Sequence, residues 1–139
     1  MVGHGNNTAV GHQAGLTMTT GVQNTIIGGN AGDALTTGQQ NVAIGYNALG
    51  AEDAHGKNVA IGYQSLRVQN AGANAENVAI GFDTGSAVST GIQNTLIGSR
   101  AGDALTTGGS SVAIGYRALT TEDTGSYNIA IGAYALENQ

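Results

Sequence analysis

Apolar residues recur along this chain at a fixed interval. The run Asn41-Val42-Ala43-Ile44-Gly45 returns at 58–62, 77–81 and 111–115, and in looser form at 7–11, 24–28, 94–98 and 128–132. The eight copies start at residues 7, 24, 41, 58, 77, 94, 111 and 128, a period of 17 except for 19 between the fourth and fifth. Such a short fixed period marks a repeat architecture, one supersecondary unit stacked on its neighbours. With each repeat numbered from its first residue, position 1 is Asn in every copy but one, where Ser111 stands. Position 2 is Thr, Val or Ile, position 4 is always Ile or Val, and position 3 is Ala except for Ile26 and Leu96. Positions 2 to 4 therefore predict a short strand, β-branched on one face and small on the other, buried on both. The expected fold is all-β: a parallel β-solenoid of about eight coils of 17 residues, forming a single repeat domain over residues 1–139.

The remaining positions predict how each coil closes. Gly at position 5 ends the strand, and a second Gly falls near position 15 (Gly21, Gly38, Gly72, Gly91, Gly108, Gly125), with Gly56 one place late. Two turns per repeat suggest a strand–turn–strand–turn coil. Positions 9 and 12 trade places. Where position 9 is Gly (Gly15, Gly32, Gly85, Gly102), position 12 is apolar (Met18, Leu35, Val88, Leu105). Where position 9 is Leu (Leu49, Leu66, Leu119), position 12 is polar (Glu52, Gln69, Glu122). One interior slot filled from either side accounts for this, since a packed core has room for a single side chain there. Residues 21–62 are closely echoed by residues 91–132, which points to a duplicated four-repeat block. The two extra residues of the fourth repeat predict a loop bulging from the stack within 67–76. Residues 1–6 do not fit the register and the chain stops inside the eighth repeat, as expected for a segment of a longer fibrous protein.

Stacked coils about 4.8 Å apart would make a rod roughly 38 Å long, with the position 1 Asn side chains forming an amide ladder. The interior is thin for so small a chain. An outward stripe of Ala43, Ala60, Ala79, Ala113 and Ala130, with Ile26 and Leu96, is then expected to be an interaction surface on which the chain associates with itself.

Composition narrows the function classes. Net charge is −5 with 9% charged residues, so no basic footprint for nucleic acid exists. The chain has no Cys, which excludes disulfide, zinc-thiolate and thiol chemistry, and no apolar run approaches the length of a membrane-spanning helix. The sequence calls for no cofactor. The segment Ile27-Gly28-Gly29-Asn30-Ala31-Gly32 has the outline of a phosphate loop, but it recurs as a repeat turn and no Lys follows. Ile44-Gly45-Tyr46-Asn47-Ala48-Leu49 matches one hexapeptide of the acyltransferase β-helix, yet only one such hexad occurs per coil and no His is placed as a base. His4, His12 and His55 share no metal-ligand spacing; His4 and His12 would meet only their own copies across a symmetry axis. Glu52-Asp53 and Glu122-Asp123 fall at equivalent positions and read as a solvated face. The Thr pairs at 19–20, 36–37 and 106–107 are interrupted, which spoils a flat ice-binding array. Tyr46, Tyr63, Phe82 and Tyr116 follow the position 5 Gly and should cover a turn as a partial column. No nucleophile, base and orienting group stand apart from the repeat, so the chain is not expected to be an enzyme.

The Asn-x-Ala-Ile-Gly element with a small residue at position 8 resembles the head repeat of trimeric autotransporter adhesins of the YadA type. The fuller pattern Asn-Thr-x-Ile-Gly-x-x-Ala-Gly…Thr-Thr-Gly, present at 24–38 and 94–108, resembles the related repeats of phage tail fibres. The resemblance covers residue 7 to the C-terminus. It implies a left-handed β-roll assembled as an intertwined homotrimer, with the Ala stripe at the trimer interface. It also implies attachment to a cell surface or matrix and an extracellular place on a bacterial surface or virion tail. The period is longer than is usual in adhesin heads, which favours the fibre version, and no neck or coiled-coil stalk occurs in this stretch. Within that reading the irregular segment is the expected contact point for a surface glycan or matrix protein, through Tyr63, Arg67, Gln69, Asn70, Asn74 and Glu76. The other reading is a passive spacer in a fibre.

Overall fold

A computed structural model describes residues 5–121 and 123–138. It is all-β. Eight strands, β1 (Thr8–Val10), β2 (Thr25–Ile27), β3 (Val42–Ile44), β4 (Val59–Ile61), β5 (Val78–Ile80), β6 (Thr95–Ile97), β7 (Val112–Ile114) and β8 (Ile129–Ile131), form one parallel sheet in chain order. Each strand pairs in register with the next coil, Ala43 opposite Ala60 and Ala60 opposite Ala79, so the 19-residue repeat leaves the ladder undisturbed. The protein is a parallel β-solenoid, with coils 1 to 8 starting at the residues named above. No helix of the described residues is long and apolar enough to cross a membrane.

The strand faces are the reverse of the expected ones. Position 3 points into the coil: Ile26, Ala43, Ala60, Ala79, Leu96 and Ala113 expose none of their surface, and Ala130 almost none. The β-branched residues of positions 2 and 4 point outward. The Ala stripe is therefore the inner wall of its own chain and cannot offer its side chains to a partner. The reason is volume. In coils with Leu at position 9 the interior holds that side chain, a small residue at position 8 and only a methyl from the strand. In coils 2 and 6, where position 9 is Gly, position 3 enlarges to Ile26 and Leu96. A Cβ on Gly15 would lie 3.2 Å from Ile26 Cδ1, and one on Gly85 would lie 2.7 Å from Leu96 Cδ1.

The shared slot has the expected geometry. A Cβ on Gly32 would come 2.8 Å from Leu35 Cδ1, and one on Gly15 3.1 Å from Met18 Cε. Leu49, Leu66 and Leu119 occupy the same space from position 9, with left-handed backbone at each (φ 53°, 50° and 58°). The polar partners at position 12 are not solvated, however. Glu52 and Gln69 are fully buried, while Glu122 lies outside the described residues.

Only one strand forms per coil among the described residues. Position 7 is left-handed in every coil (Asn47 φ 53°) and so is the last residue of coils 1 to 7 (Lys57 φ 64°), so the chain turns too often for a second ladder. In place of one, coils join there at single carbonyls: Thr36 O accepts the N–H groups of Thr19, Thr20 and Gly21 at 2.9, 3.3 and 3.2 Å. The Asn column also differs from an amide-to-amide ladder. Each Oδ1 accepts the backbone N–H of position 1 in the next coil, as Asn24 does from Asn41 (2.9 Å) and Asn41 from Asn58 (3.0 Å). In coils 1, 2, 3, 5 and 6 Nδ2 donates to the position 15 carbonyl of its own coil, as Asn24 does to Gly38 (2.8 Å) and Asn94 to Gly108 (2.9 Å). One amide thus ties two coils together and closes its own. Ser111 keeps the first bond only, its Oγ accepting from Asn128 N at 3.1 Å.

Candidate functional site

No pocket opens among the described residues, so the surfaces to weigh are the outward strand face and the one irregular corner. The strand face is apolar. Ile27, Ile80 and Ile97 retain 37%, 37% and 36% exposure along it. Beside the position 4 column runs the aromatic one. Tyr46 stacks on Tyr63 with ring centroids 5.6 Å apart, and Tyr63 on Phe82 at 5.1 Å with planes 7° apart. Tyr116 and Tyr134 meet edge to face at 5.3 Å. Tyr46, Tyr63, Phe82 and Tyr116 stand at position 6 of their coils and Tyr134 at position 7 of coil 8, and all five are exposed. The expected partial column is present. Its rings pack mainly on each other and leave an apolar flank open.

The irregular corner joins coils 3 and 4. Coil 4 keeps the repeat through position 13, where Asn70 N–H donates to Ser89 O at 2.7 Å, as its counterparts do in regular coils. It regains the register at Ala75, whose carbonyl accepts Gln93 N–H at 2.7 Å in the manner of position 16. The two extra residues are therefore confined to Ala71, Gly72, Ala73 and Asn74, a shorter bulge than 67–76. Because Gly72 is displaced, Asn58 Nδ2 finds no acceptor although it is buried. Of the six residues expected to meet a ligand, Gln69 is the exception: it is buried and accepts from Asn77 Nδ2 at 2.9 Å. Arg67, Asn70, Asn74 and Glu76 are exposed. Asn74 accepts the Gly56 N–H at 3.0 Å, and Glu76 pairs with Lys57 at 3.2 Å, which holds the Glu76 carboxyl below the usual carboxylate range. Tyr63 belongs to the ring stack.

Sequence reasoning missed His55. Position 15 is Gly in coils 1, 2, 5 and 6 because a Cβ there would strike the next coil's carbonyl, 2.6 Å from Gly38 O in the case of Gly21. His55 occupies position 15 of coil 3, and Gly56 is a position 16 residue, not a displaced turn glycine. The bulge in coil 4 removes the carbonyl that would otherwise lie over the His55 Cβ. The two departures from the repeat are thus one structural event. They bring His55 beside Glu52, with Nδ1 3.4 Å from Oε1, while the His55 backbone N–H donates to the same oxygen at 3.0 Å. Burial pushes the Glu52 carboxyl above the usual carboxylate range, opposed by its bond and charge interaction with His55. The sequence signal was available: a His in a glycine column, one repeat before the only change in period. His4 lies outside the described residues, and His12 is exposed on coil 1.

Protein-family models, curated proteins and solved structures were compared with this chain, and none matches it.

Proposed function

We propose that this chain is a non-enzymatic module of an extracellular fibre or adhesin head, assembled as a homotrimer and serving attachment to a cell surface or matrix. The observation that carries the reading is the outward strand face, a column of Ile and Val flanked by stacked rings beside coils 3 to 5. It runs the length of the solenoid and is too continuous to be scattered surface apolar residues. Its burial between copies replaces the Ala stripe as the basis for self-association. The resemblance of the repeat to adhesin heads and tail fibres supports three copies and an extracellular place. On such a rod, residues 71–74 and the neighbouring Arg67 and Asn70 would be displayed three times, which raises the avidity of weak contacts to a glycan or matrix protein.

Light scattering is expected to return a trimer at micromolar concentration; a stable monomer would remove the reading. Ile80→Glu should leave a folded monomer, whereas Ala60→Glu should unfold the chain itself, because it places an unpaired carboxylate inside the coil. One observation favours the passive spacer instead: Gln69 is buried, and Asn74 and Glu76 are engaged within the chain. Binding to cells or a glycan array should fall when Ala73 and Asn74 are deleted, and unchanged or absent binding would support the spacer.

A further inference from the structure

Among the described residues, Glu52, Asp53 and His55 are the one group of three metal-ligating side chains in mutual reach, their donor atoms all lying within 4.8 Å of one another. We propose that they bind a divalent first-row transition-metal ion at the corner of coils 3 and 4. A cluster of acids on a surface would not carry this. Here the central ligand is enclosed: the Glu52 side chain has no exposed surface, and its Oε2 has no hydrogen-bond partner. The Nδ1 of His55 is equally buried and equally unpartnered. It faces Glu52 Oε1 at 3.4 Å without the geometry of a hydrogen bond. Two donors each about 2.1 Å from one tetrahedral ion would themselves lie about 3.4 Å apart.

The fold makes this position special. His55 stands where coils 1, 2, 5 and 6 require Gly, and the longer coil 4 makes its side chain possible. Asp53 is exposed on the solvent side, which gives an ion a route in and a third ligand that closes over it. Its backbone is fixed from the far side, where its carbonyl accepts the Thr36 N–H at 2.6 Å. Asp123, at the same position of coil 7, accepts Thr106 N–H at 2.6 Å, but Gly125 stands where coil 3 has His55. The loop geometry is thus common to both blocks, and the imidazole is unique to one. One imidazole and two carboxylates suit Zn²⁺, Mn²⁺ or Fe²⁺ better than Ca²⁺ or Mg²⁺, which prefer all-oxygen sets. Three protein ligands leave a coordination position for water or an outside group. This site is independent of the attachment reading, and neither requires the other.

The test is calorimetric titration of the untagged protein with Zn²⁺ in a non-chelating buffer, with Co²⁺ absorption as a second reporter of the ligand field. One ion per chain is expected. Glu52→Gln keeps the side-chain shape and His55→Gly restores the residue of the repeat, so both variants should fold. Each should weaken Zn²⁺ binding by at least about tenfold, since even outer-sphere changes commonly cost that much. Replacing His4 and His12 by Ala should leave it unchanged. No saturable binding up to about 1 mM, where affinity is negligible, would overturn the proposal and leave an isolated His55–Glu52 pair. Binding that survives His55→Gly would overturn it equally.

Discussion

The solenoid carries two columns of glycine, one closing the strand at position 5 and one at the far corner at position 15, and they differ in what demands them. At position 5 the backbone is left-handed, with φ +134° at Gly28 and +128° at Gly45. In addition, a Cβ on Gly28 would lie 2.5 Å from the next coil's carbonyl oxygen. Conformation and crowding both exclude a side chain, and all eight copies are Gly. At position 15, Gly21, Gly38, Gly91 and Gly108 have no such φ, and the requirement is crowding alone, by the next coil's carbonyl at all four and also by Leu35 and Leu105 of the same coil, 2.5 Å from a Cβ on Gly38 and on Gly108. Such a requirement can be lifted by the neighbour. Coil 4 lifts it: its bulge carries Gly72 out of the column, where a Cβ would meet nothing within 4 Å and the Gly72 carbonyl no longer accepts from Asn58 Nδ2, and coil 3 has His55 at position 15. An intrinsic constraint keeps a column uniform, whereas a borrowed one permits an exception wherever the adjacent coil moves aside.

The sharpest way to break this comparison is a pair of Ala substitutions. Gly45→Ala should cost about 3–5 kcal/mol, combining backbone strain with overpacking against Gly62. Urea unfolding would measure it, and a loss below that of the corner variant would contradict the two-cause account. Gly38→Ala, with crowding alone, should cost about 1–3 kcal/mol.

Deleting Ala73 and Asn74 returns coil 4 to 17 residues and brings the Gly72 carbonyl back over His55. This variant should lose about 1–3 kcal/mol. Adding His55→Gly should recover the loss, and Asn58 Nδ2 should regain its acceptor, a buried donor whose lack of a partner costs about 1–3 kcal/mol. A double-mutant cycle that gave no coupling between the deletion and His55→Gly would show the two departures to be unrelated. The smallest effect is expected for His55→Gly alone, within about 1 kcal/mol of the parent in thermal or urea unfolding, from the extra chain entropy of Gly.

Much of the architecture was legible in one sequence because a solenoid writes each structural need many times. The period gave the parallel ladder and its register. The exchange of Gly and Leu at position 9 with apolar and polar residues at position 12 gave the shared slot. The Asn column was legible as a ladder, although its partners proved to be mainly backbone groups. What periodicity could not supply was which strand face lies inside. Parity separates Ala43 from Val42 and Ile44 but assigns neither to the core. Where Leu49 fills the interior only a methyl from the strand fits, and where Gly32 leaves space Ile26 fills it, so position 3 faces inward and positions 2 and 4 went outward. The same limit explains Glu52, which reads as a surface acid until the chain is coiled around it. Nor could spacing along the chain show that the bulge at Ala71, Gly72, Ala73 and Asn74 lies over His55, because the two are brought together only by stacking. The repeat determined the ladder, the turns and the slot through local pattern. Inside against outside, and His55 against Glu52, were decided by volume and by the neighbouring coil, which exist only in three dimensions.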